Sequence, residues 1–406
     1  MLTEGAFFTP SVSMTHPTVR LKPKEGRRIR AGAPWAFSNE VEMSNVTKAL
    51  KSGTVVNVVG DDGQPYGTGY FNPGSLIAIR LLDGQPDIVL GANYFEKRLA
   101  RARDLRDAIY ARPFYRLIHA EGDYLPGLTI DRFGDACVVQ ITTAGMEALL
   151  KPLLKALNEV IAPTTVILRA DTPSRTLEGL DSYVRVAAGD ATRVAVEENS
   201  IHYFADLGEG QKTGWYYDQR DNRAFMAALA NGKTVLDAYC YTGGFALAAA
   251  KAGAKEVVAL DSSAPALALA EDSAAANGVA SICRFVKADV FEEFERLGNA
   301  KETFDIVIAD PPPFVKSRKD LEPGAKAYRK LARMAAKLVA PNGFLLLASC
   351  SHNIQPDRFM QECALGILRS DRRARLVHQA GASADHPVHP MLPESAYLKA
   401  LVYAMD

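Results

Sequence analysis

The chain has 406 residues and a formal net charge of zero, with 48% hydrophobic and 23% charged residues. This length allows two or three domains, and the composition is typical of a soluble globular protein. No apolar run reaches the about 20 residues of a membrane-spanning helix, and the N-terminus does not resemble a secretory signal. We therefore expect a cytoplasmic protein.

The cysteines predict neither disulfides nor a metal site. They are five in number, widely spaced and without a C-x-x-C pair. An odd, scattered set of this kind argues against a disulfide framework and against a cysteine zinc centre. We expect reduced thiols and no metal.

Residues 17–90 are predicted to form a small β-rich domain. Short apolar runs are separated there by turn signals, and Asp61-Asp62-Gly63 between two such runs predicts a hairpin.

Positive charge is concentrated at the front of the chain. Residues 20–30 hold six Lys/Arg and one Glu, and residues 97–116 hold seven Lys/Arg and two Asp. Such runs attract phosphate backbones, although each is also compatible with an ordinary solvated surface.

Residues 91–195 are predicted to form an α+β domain, because helical and strand-like periodicities alternate there. The predicted elements are a helix over residues 93–110, a hairpin with its turn at residues 133–135, an amphipathic helix over residues 146–161 and a strand over residues 164–171.

Residues 196–406 repeat a strand and helix pattern that is typical of a mostly parallel, doubly wound sheet. The predicted strands cover residues 234–239, 256–261, 282–289, 304–310 and 343–350, with helices over residues 243–253 and 264–278.

Acidic residues mark the ends of four predicted strands, where doubly wound sheets bind ligands. These are Asp237, Asp261, Asp289 and Asp310. Any one of them could merely cap a helix, but four at successive strand ends favour a ligand site.

The loop after the first of these strands predicts which ligand binds. It runs from Asp237 through Tyr241 to Gly243 and Gly244, and it lacks the G-x-G-x-x-G pattern of a dinucleotide site. A cofactor with adenosine but no phosphates, such as S-adenosylmethionine, suits it better. Its amino acid end would lie on this loop, with the ribose at Asp261 and the adenine amine at the third strand's acid, Asp289.

The segment "DIVIADPPPF", residues 305–314, predicts the reaction centre. Pro311 and Pro312 make the loop rigid after Asp310, and Phe314 offers a face on which a flat base can stack. Such a segment often serves methylation of an exocyclic amine, for which no cysteine is required.

Cys350 follows the next predicted strand and raises a second possibility. C5 of a pyrimidine becomes nucleophilic only after a thiolate has added to C6, and a cysteine at this strand end is placed for that addition. A structural cysteine, a nucleophile at Cys240 in the cofactor loop, and a pair with His352 are the alternatives. The other three thiols, Cys137, Cys283 and Cys363, are predicted to lie in the core.

Together these segments resemble the bacterial large-subunit ribosomal RNA methyltransferases that make 5-methylcytosine in 23S rRNA. The similarity covers nearly the whole chain after residue 17. It is carried by "GYFNPGSLIAIRLL", "EGDYLPGLTIDRFGD", "GQKTGWYYDQRDNR", "DAYCYTGGF", "DPPPFVKSRKDL", "SCS" and "HPVHPMLPESAYLKAL". Pro313 departs from the family, in which another residue such as Lys is frequent.

The resemblance implies an α/β fold: a Rossmann-like, doubly wound methyltransferase domain preceded by a β-rich PUA domain and a central α+β domain. It also implies S-adenosylmethionine as cofactor, 23S rRNA as partner and Cys350 as nucleophile. Gln219 and Arg220 are expected to hold the cofactor's amino acid end, and Asp310 the cytosine N3 edge. Glu394 is a candidate for the base that removes the C5 proton.

Two rival functions remain open at the level of sequence. One is an rRNA N-methyltransferase of the same fold that acts on a purine without the cysteine. The other is a non-catalytic RNA-binding module. Monomer and homodimer are both compatible with the sequence.

Overall fold

The structure, a computed structural model, describes residues 15–211 and 213–406. The prediction about a secretory signal concerns residues 1–14, which lie outside this description. The strands are β1 (Thr18–Arg20), β2 (Trp35–Ala36), β3 (Thr54–Val59), β4 (Pro65–Phe71), β5 (Ile79–Asp83), β6 (Phe114–His119), β7 (Leu128–Phe133), β8 (Ala136–Ile141), β9 (Thr165–Ala170), β10 (Tyr183–Ala188), β11 (Arg193–Glu198), β12 (Ile201–Asp206), β13 (Thr234–Ala238), β14 (Glu256–Asp261), β15 (Cys283–Lys287), β16 (Phe304–Ala309), β17 (Val339–Ser349), β18 (Ala374–Ala380) and β19 (Lys399–Met405). The α-helices are α1 (Arg27–Arg30), α2 (Asn45–Ala49), α3 (Ala92–Ile109), α4 (Ala144–Ala148), α5 (Leu150–Ile161), α6 (Ser174–Leu177), α7 (Arg220–Ala228), α8 (Gly244–Lys251), α9 (Ala264–Ala276), α10 (Val290–Asn299), α11 (Leu321–Lys337) and α12 (Pro356–Leu368).

The first sheet has the strand order β1-β3-β4-β5-β2. The predicted hairpin is confirmed, since β3 and β4 pair antiparallel on either side of residues 60–64. The side chains of Val19, Val56 and Phe71 are buried in the core of this sheet.

The second sheet has the order β10-β9-β8-β7-β6, and α3 and α5 lie next to each other beside it. The predicted helix at residues 93–110 is confirmed as α3. The single helix predicted for residues 146–161 is wrong, because it is two helices that meet at Leu149. Pro152 lacks the N–H that a continuous helix would donate to Ala148, so α5 starts anew.

Part of the second basic run is used inside the protein. Arg106 is fully buried and pairs with Asp123 at 2.6 Å, and Arg116 pairs with Asp131 at 2.8 Å. These two arginines therefore join elements of the fold, whereas most basic side chains at residues 20–30 are exposed; a phosphate-binding surface remains a prediction.

The third sheet is the scaffold of the candidate site. Its seven strands have the order β15-β14-β13-β16-β17-β19-β18, and the first five are parallel, as predicted. Alternate residues of each strand enter different cores: Val307 of β16 packs on one face and Ile306 on the other. β18 and β19, which run antiparallel at one edge, were not predicted.

A two-stranded hairpin, β11 and β12, lies between the second and third sheets and was also not predicted. It packs on the third domain's helix α9, where Ser273 accepts a hydrogen bond from the Phe204 N–H at 2.9 Å.

Candidate active site

The carboxyl ends of the parallel strands meet at one edge of the third sheet, and the loop after β13 is strained there. Tyr239, Tyr241 and Gly243 have φ of 63°, 49° and 82°. Only glycine adopts this conformation readily, so the surroundings must hold the two tyrosines in place.

Two of the predicted cofactor acids hold this loop. Asp237 is buried and accepts a hydrogen bond from the Ala246 N–H at 2.9 Å, in the first turn of α8. Asp261 accepts from the Tyr241 N–H at 2.9 Å and from the Ser263 N–H at 2.8 Å. Both carboxyl groups therefore shape the loop, and their contact with a cofactor remains a prediction.

Asp237 is also electrostatically unusual. Burial raises the pKa of its carboxyl to about 8, and the nearby carboxylates of Asp310 and Asp261 contribute to the increase. Its Oδ1 is buried without a hydrogen-bond partner among the described residues. A ligand that donates a hydrogen bond at this point would satisfy that oxygen.

Asp289 caps a helix. Its carboxylate accepts hydrogen bonds from the N–H groups of Phe291 and Glu292, at 2.9 and 3.1 Å, at the start of α10. The residue is exposed. The cap is the role that the structure shows, and contact with an adenine remains a prediction.

Gln219 and Arg220 are neighbours with different surroundings. Gln219 Nε2 donates to Asp310 Oδ2 at 2.8 Å, which orients the carboxylate of the predicted reaction centre. Arg220 is buried, donates to the Phe114 carbonyl and lies over the ring of Tyr110 at 4.1 Å. Its contacts among the described residues join two sheets, so the cofactor role predicted for it stays untested.

The Asp-Pro-Pro loop follows β16, next to the end of β17. Pro311 is buried and Pro312 is exposed. The half-buried ring of Phe314 packs against Tyr328 of α11, with ring centroids 4.8 Å apart. Its predicted use as a stacking face for a base is not tested by this packing.

The two serines around Cys350 tie its segment to this loop. The hydroxyl of Ser349 donates to Tyr328 Oη at 2.8 Å, and Ser351 Oγ lies 2.8 Å from the same oxygen. Ser351 also accepts from the Val315 N–H at 3.2 Å. Both serines are buried, whereas Cys350 is half-exposed. The thiol therefore sits on a fixed backbone at the rim of the sheet.

The other thiols are less suited to nucleophilic attack. Burial raises the pKa of Cys240, of Cys137 to about 12 and of Cys283 to about 11, and it raises that of Cys363 as well. Cys137, Cys240 and Cys363 are buried and Cys283 is half-buried at the far edge strand. Of the five, Cys350 is placed at the strand end beside Asp310.

Four side chains that the sequence reasoning missed surround Cys350. Burial raises the pKa of the hydroxyls of Tyr216, Tyr328 and Tyr397, and a negative charge on Cys350 raises each of them further. Burial lowers the pKa of Lys399 to about 8, and Cys350 opposes that shift. Three of these, Tyr216, Tyr397 and Lys399, lie within the quoted motifs "GQKTGWYYDQRDNR" and "HPVHPMLPESAYLKAL", but nothing in one sequence joins them to the thiol.

Two further candidates have partners elsewhere. Glu394 is exposed and pairs with Arg28 of the first domain at 3.0 Å, which does not favour its use as a base. The exposed ring of His352 stacks on Tyr397 with centroids 5.1 Å apart.

Residues 15–211 and 213–406 contain no group of three or more His, Cys, Asp or Glu side chains that could hold a metal ion. Among the same residues, no helix is both long and apolar enough to span a bilayer.

The seven-stranded order, with its ligand loop after β13, defines a Rossmann-like methyltransferase domain. Residues 179–404 match a family described as S-adenosylmethionine-dependent methyltransferase, and residues 19–83 match a PUA-like domain. The predicted fold class is confirmed: an α/β methyltransferase domain follows a β-rich PUA-like domain.

Similar proteins define the family more closely. The chain is 36% identical to the "Ribosomal RNA large subunit methyltransferase I" of Shewanella denitrificans, over 95% of this chain and 98% of that protein. It is 37% identical to the protein of the same name from Photobacterium profundum, again over 95% and 98%. The chain belongs to this family of S-adenosylmethionine-dependent methyltransferases.

A solved structure supports the fold. The methyltransferase SMU.776 in complex with SAH has a TM-score of 0.82, is 23% identical, and matches over 96% of this chain and 100% of that one.

The site fits the family's cofactor. Gly243, at the N-terminus of α8, lets the backbone turn sharply there, and Asp237 offers a buried oxygen without a hydrogen-bond partner among the described residues. Asp261 lies at the adjacent strand end. The predicted cofactor, S-adenosylmethionine, is therefore confirmed by the family and by the chemistry of these groups, whereas the individual contacts remain predictions.

Proposed function

We propose that the protein methylates C5 of a cytosine in 23S rRNA, with Cys350 as the covalent nucleophile. The observation that carries this proposal is the half-exposed thiol of Cys350, fixed by two buried serines next to Asp310. The names of the relatives support large-subunit rRNA as the substrate.

The chemistry follows from the low nucleophilicity of C5. The Cys350 thiolate forms a bond to C6, and the electrons of the C5–C6 double bond move to C5. S-adenosylmethionine, when bound, would supply an electrophilic methyl group: C5 forms a bond to the methyl carbon, and S-adenosylhomocysteine is the leaving group. A base then takes the C5 proton, the double bond re-forms, and the S–C6 electron pair returns to sulfur. Asp310, oriented by Gln219, is proposed to hold the N3 edge of the cytosine.

The proposed division of labour follows the predicted domains. Residues 17–90 would bind RNA, because the PUA-like domain carries an exposed basic run at residues 20–30. Residues 91–195 would connect this domain to the methyltransferase domain, residues 196–406. Pro311, Pro312 and Phe314 are proposed to border the base pocket.

The proposed cofactor contacts are distributed around the loop after β13. Asp237, Tyr241, Gly243 and Gly244 would meet the amino acid end, since they form or support that loop. Asp261 and Asp289 would meet the ribose and adenine, in addition to the backbone bonds that they already accept. Gln219 would act near the amino acid end, with Arg220 behind it.

The decisive experiment compares Cys350→Ala with a matched thiol variant, Cys283→Ala. Each protein is incubated with S-adenosylmethionine and 23S rRNA from cells that lack the enzyme, and the nucleosides are identified by mass spectrometry. We expect 5-methylcytidine from the wild type and from Cys283→Ala, and at least about a hundredfold loss with Cys350→Ala, since no other group can add to C6.

A trapping experiment checks the covalent step separately. RNA with 5-fluorocytosine lacks the proton that must leave C5, so the wild type should form an adduct that survives denaturing electrophoresis. Full activity of Cys350→Ala, or a methylated purine as the product, would support the N-methyltransferase instead. An S-adenosylmethionine-binding protein that methylates no RNA would point to a non-catalytic module.

A further inference from the structure

Lys399 lies against the Cys350 segment from the neighbouring strand. In the pairing of β17 with β19, Ser349 stands directly opposite Lys399. The Lys399 ammonium donates to the Ser351 carbonyl at 2.6 Å. The lysine thus contacts the residues on both sides of Cys350, once through its backbone and once through its side chain.

The surroundings of this amine are unusual for a lysine. It is only 7% exposed, and such burial is costly for a charge that lacks a partner. The residue also lines a cavity of about 490 Å³ together with Pro356, Phe359 and Leu401. A cation buried in such a place is expected to stabilise a negative charge nearby.

Three tyrosines near the thiol are not cations, whereas the exposed His352, two residues away, becomes one on protonation. Tyr216 comes from the segment before α7, Tyr328 from α11 and Tyr397 from the segment before β19, and burial raises the pKa of all three hydroxyls. They stay neutral at physiological pH. Asp310, beyond Tyr216, contributes negative charge, which opposes the formation of a thiolate.

We propose that Lys399 is a positioning residue that holds the Cys350 segment and supplies the positive charge beside which the thiol ionises. The inference rests on the proposed function, in which Cys350 is the nucleophile. In the step concerned, the S–H bond breaks, the electron pair stays on sulfur and the proton passes to water. The ammonium keeps its own proton and stabilises the thiolate, as cations do beside reactive cysteines.

The experiment measures how fast iodoacetamide alkylates Cys350 between pH 5.5 and 9.5, in the full-length protein without RNA. Peptide mass spectrometry follows Cys350 and, as internal control, Cys283. In Lys399→Met we expect the pH midpoint for Cys350 to rise by about one unit or more, because an opposite charge has been removed. The rate of Cys283 alkylation at each pH should not change, and Lys399→Arg should stay near the wild type because it keeps the charge.

The outcomes separate this inference from the proposed function. An unchanged Cys350 midpoint in Lys399→Met overturns the inference, even if Cys350 is essential for methylation. A shifted midpoint supports it, even if Cys350→Ala retains methylation and the proposed function fails. If neither variant folds, the wild type still decides: a midpoint below the ordinary thiol value of about 8.5 supports the inference, and one above it overturns it.

The pH dependence of kcat distinguishes an electrostatic role of Lys399 from a purely structural one. If the charge matters, the kcat of Lys399→Met should fall at least about tenfold at pH 7 and recover toward the wild type at pH 9, where the thiol ionises without help. A loss that is the same at both pH values would contradict the inference.

Discussion

At the scale of single residues, Ser349 and Ser351 fix the position of the Cys350 segment between them. The hydroxyls of Ser349 and Ser351 meet at Tyr328 Oη, which also accepts a hydrogen bond from the Phe314 N–H at 3.4 Å. One phenol therefore joins the end of β17 to the Asp-Pro-Pro loop. The thiol and the proposed base pocket keep their relative positions through this group.

Removing that phenol oxygen should affect stability and catalysis together. In Tyr328→Phe the two serine hydroxyls lose a buried partner, which should lower the free energy of unfolding by about 1–3 kcal/mol. Methylation should also fall, because the Cys350 segment and the loop are no longer tied. Urea denaturation and the rRNA assay measure the two effects.

Tyr403→Phe is the matched control for this variant. Tyr403 lies in the same hydrophobic core, but its hydroxyl is buried without a hydrogen-bond partner among the described residues. Its removal should leave stability unchanged or increase it, and activity should persist. Equal losses in Tyr328→Phe and Tyr403→Phe would show that the hydroxyl cluster has no special role.

The predictability of the site also has to be judged residue by residue. The sequence predicted Cys350 and Asp310 at the ends of successive strands, because an apolar run followed by a polar residue can be recognised from the sequence alone. It did not connect Cys350 with Lys399 or Tyr328. Those contacts depend on which strand and helix pack beside β17, and that information is not local.

At the scale of elements, the turn from β13 into α8 decides whether the cofactor loop keeps its shape. Gly243 stands at the N-cap of α8 with φ of 82°, and a Cβ built there would lie 3.1 Å from the Cβ of Ala270. A side chain would therefore meet both backbone strain and a close contact on α9.

We expect Gly243→Ala to reduce S-adenosylmethionine affinity at least about tenfold, because the loop must shift to relieve this strain. Calorimetric titration with the cofactor measures the change. Gly278→Ala is the control: φ there is 69°, but a Cβ would meet nothing within 4 Å. It should cost about 1 kcal/mol of stability and leave cofactor affinity intact. If Gly243→Ala binds S-adenosylmethionine with wild-type affinity, the loop is not part of the cofactor site.

The elements that sequence reasoning missed have identifiable causes. The hairpin of β11 and β12 turns at Asn199 and Ser200, with φ of 52° and 62°. Glycine is the usual signal for such a turn, and serine in its place concealed it. β19 is an apolar run that was visible, but its antiparallel direction at the sheet edge follows from tertiary packing. The parallel strands were predictable because all of them except the edge strand β15 are mostly buried on both faces.

At the scale of the whole molecule, the second and third sheets meet along a line of buried charges. The carboxylate of Glu198, at the end of β11, forms salt bridges with Arg223 at 2.6 Å and with Arg220 at 3.5 Å. The Arg220 guanidinium also donates a hydrogen bond to the Phe114 carbonyl of β6 and lies over the ring of Tyr110. This junction fixes the methyltransferase domain on its neighbour, and a single sequence gave no sign that the motif around Arg220 would serve it.

Arg220→Met tests whether this arginine joins domains or holds the cofactor. We expect the free energy of unfolding to fall by about 1–3 kcal/mol, because the Phe114 carbonyl loses a buried donor while Glu198 keeps Arg223. Cofactor affinity of the folded protein should change less than about threefold. Arg112→Met is the control. Arg112 pairs at 3.1 Å with Glu197, the residue before Glu198, but its side chain is 64% exposed, and surface pairs contribute at most about 1 kcal/mol to stability. A large loss of cofactor affinity in Arg220→Met, with stability unchanged, would instead assign the arginine to the cofactor's amino acid end.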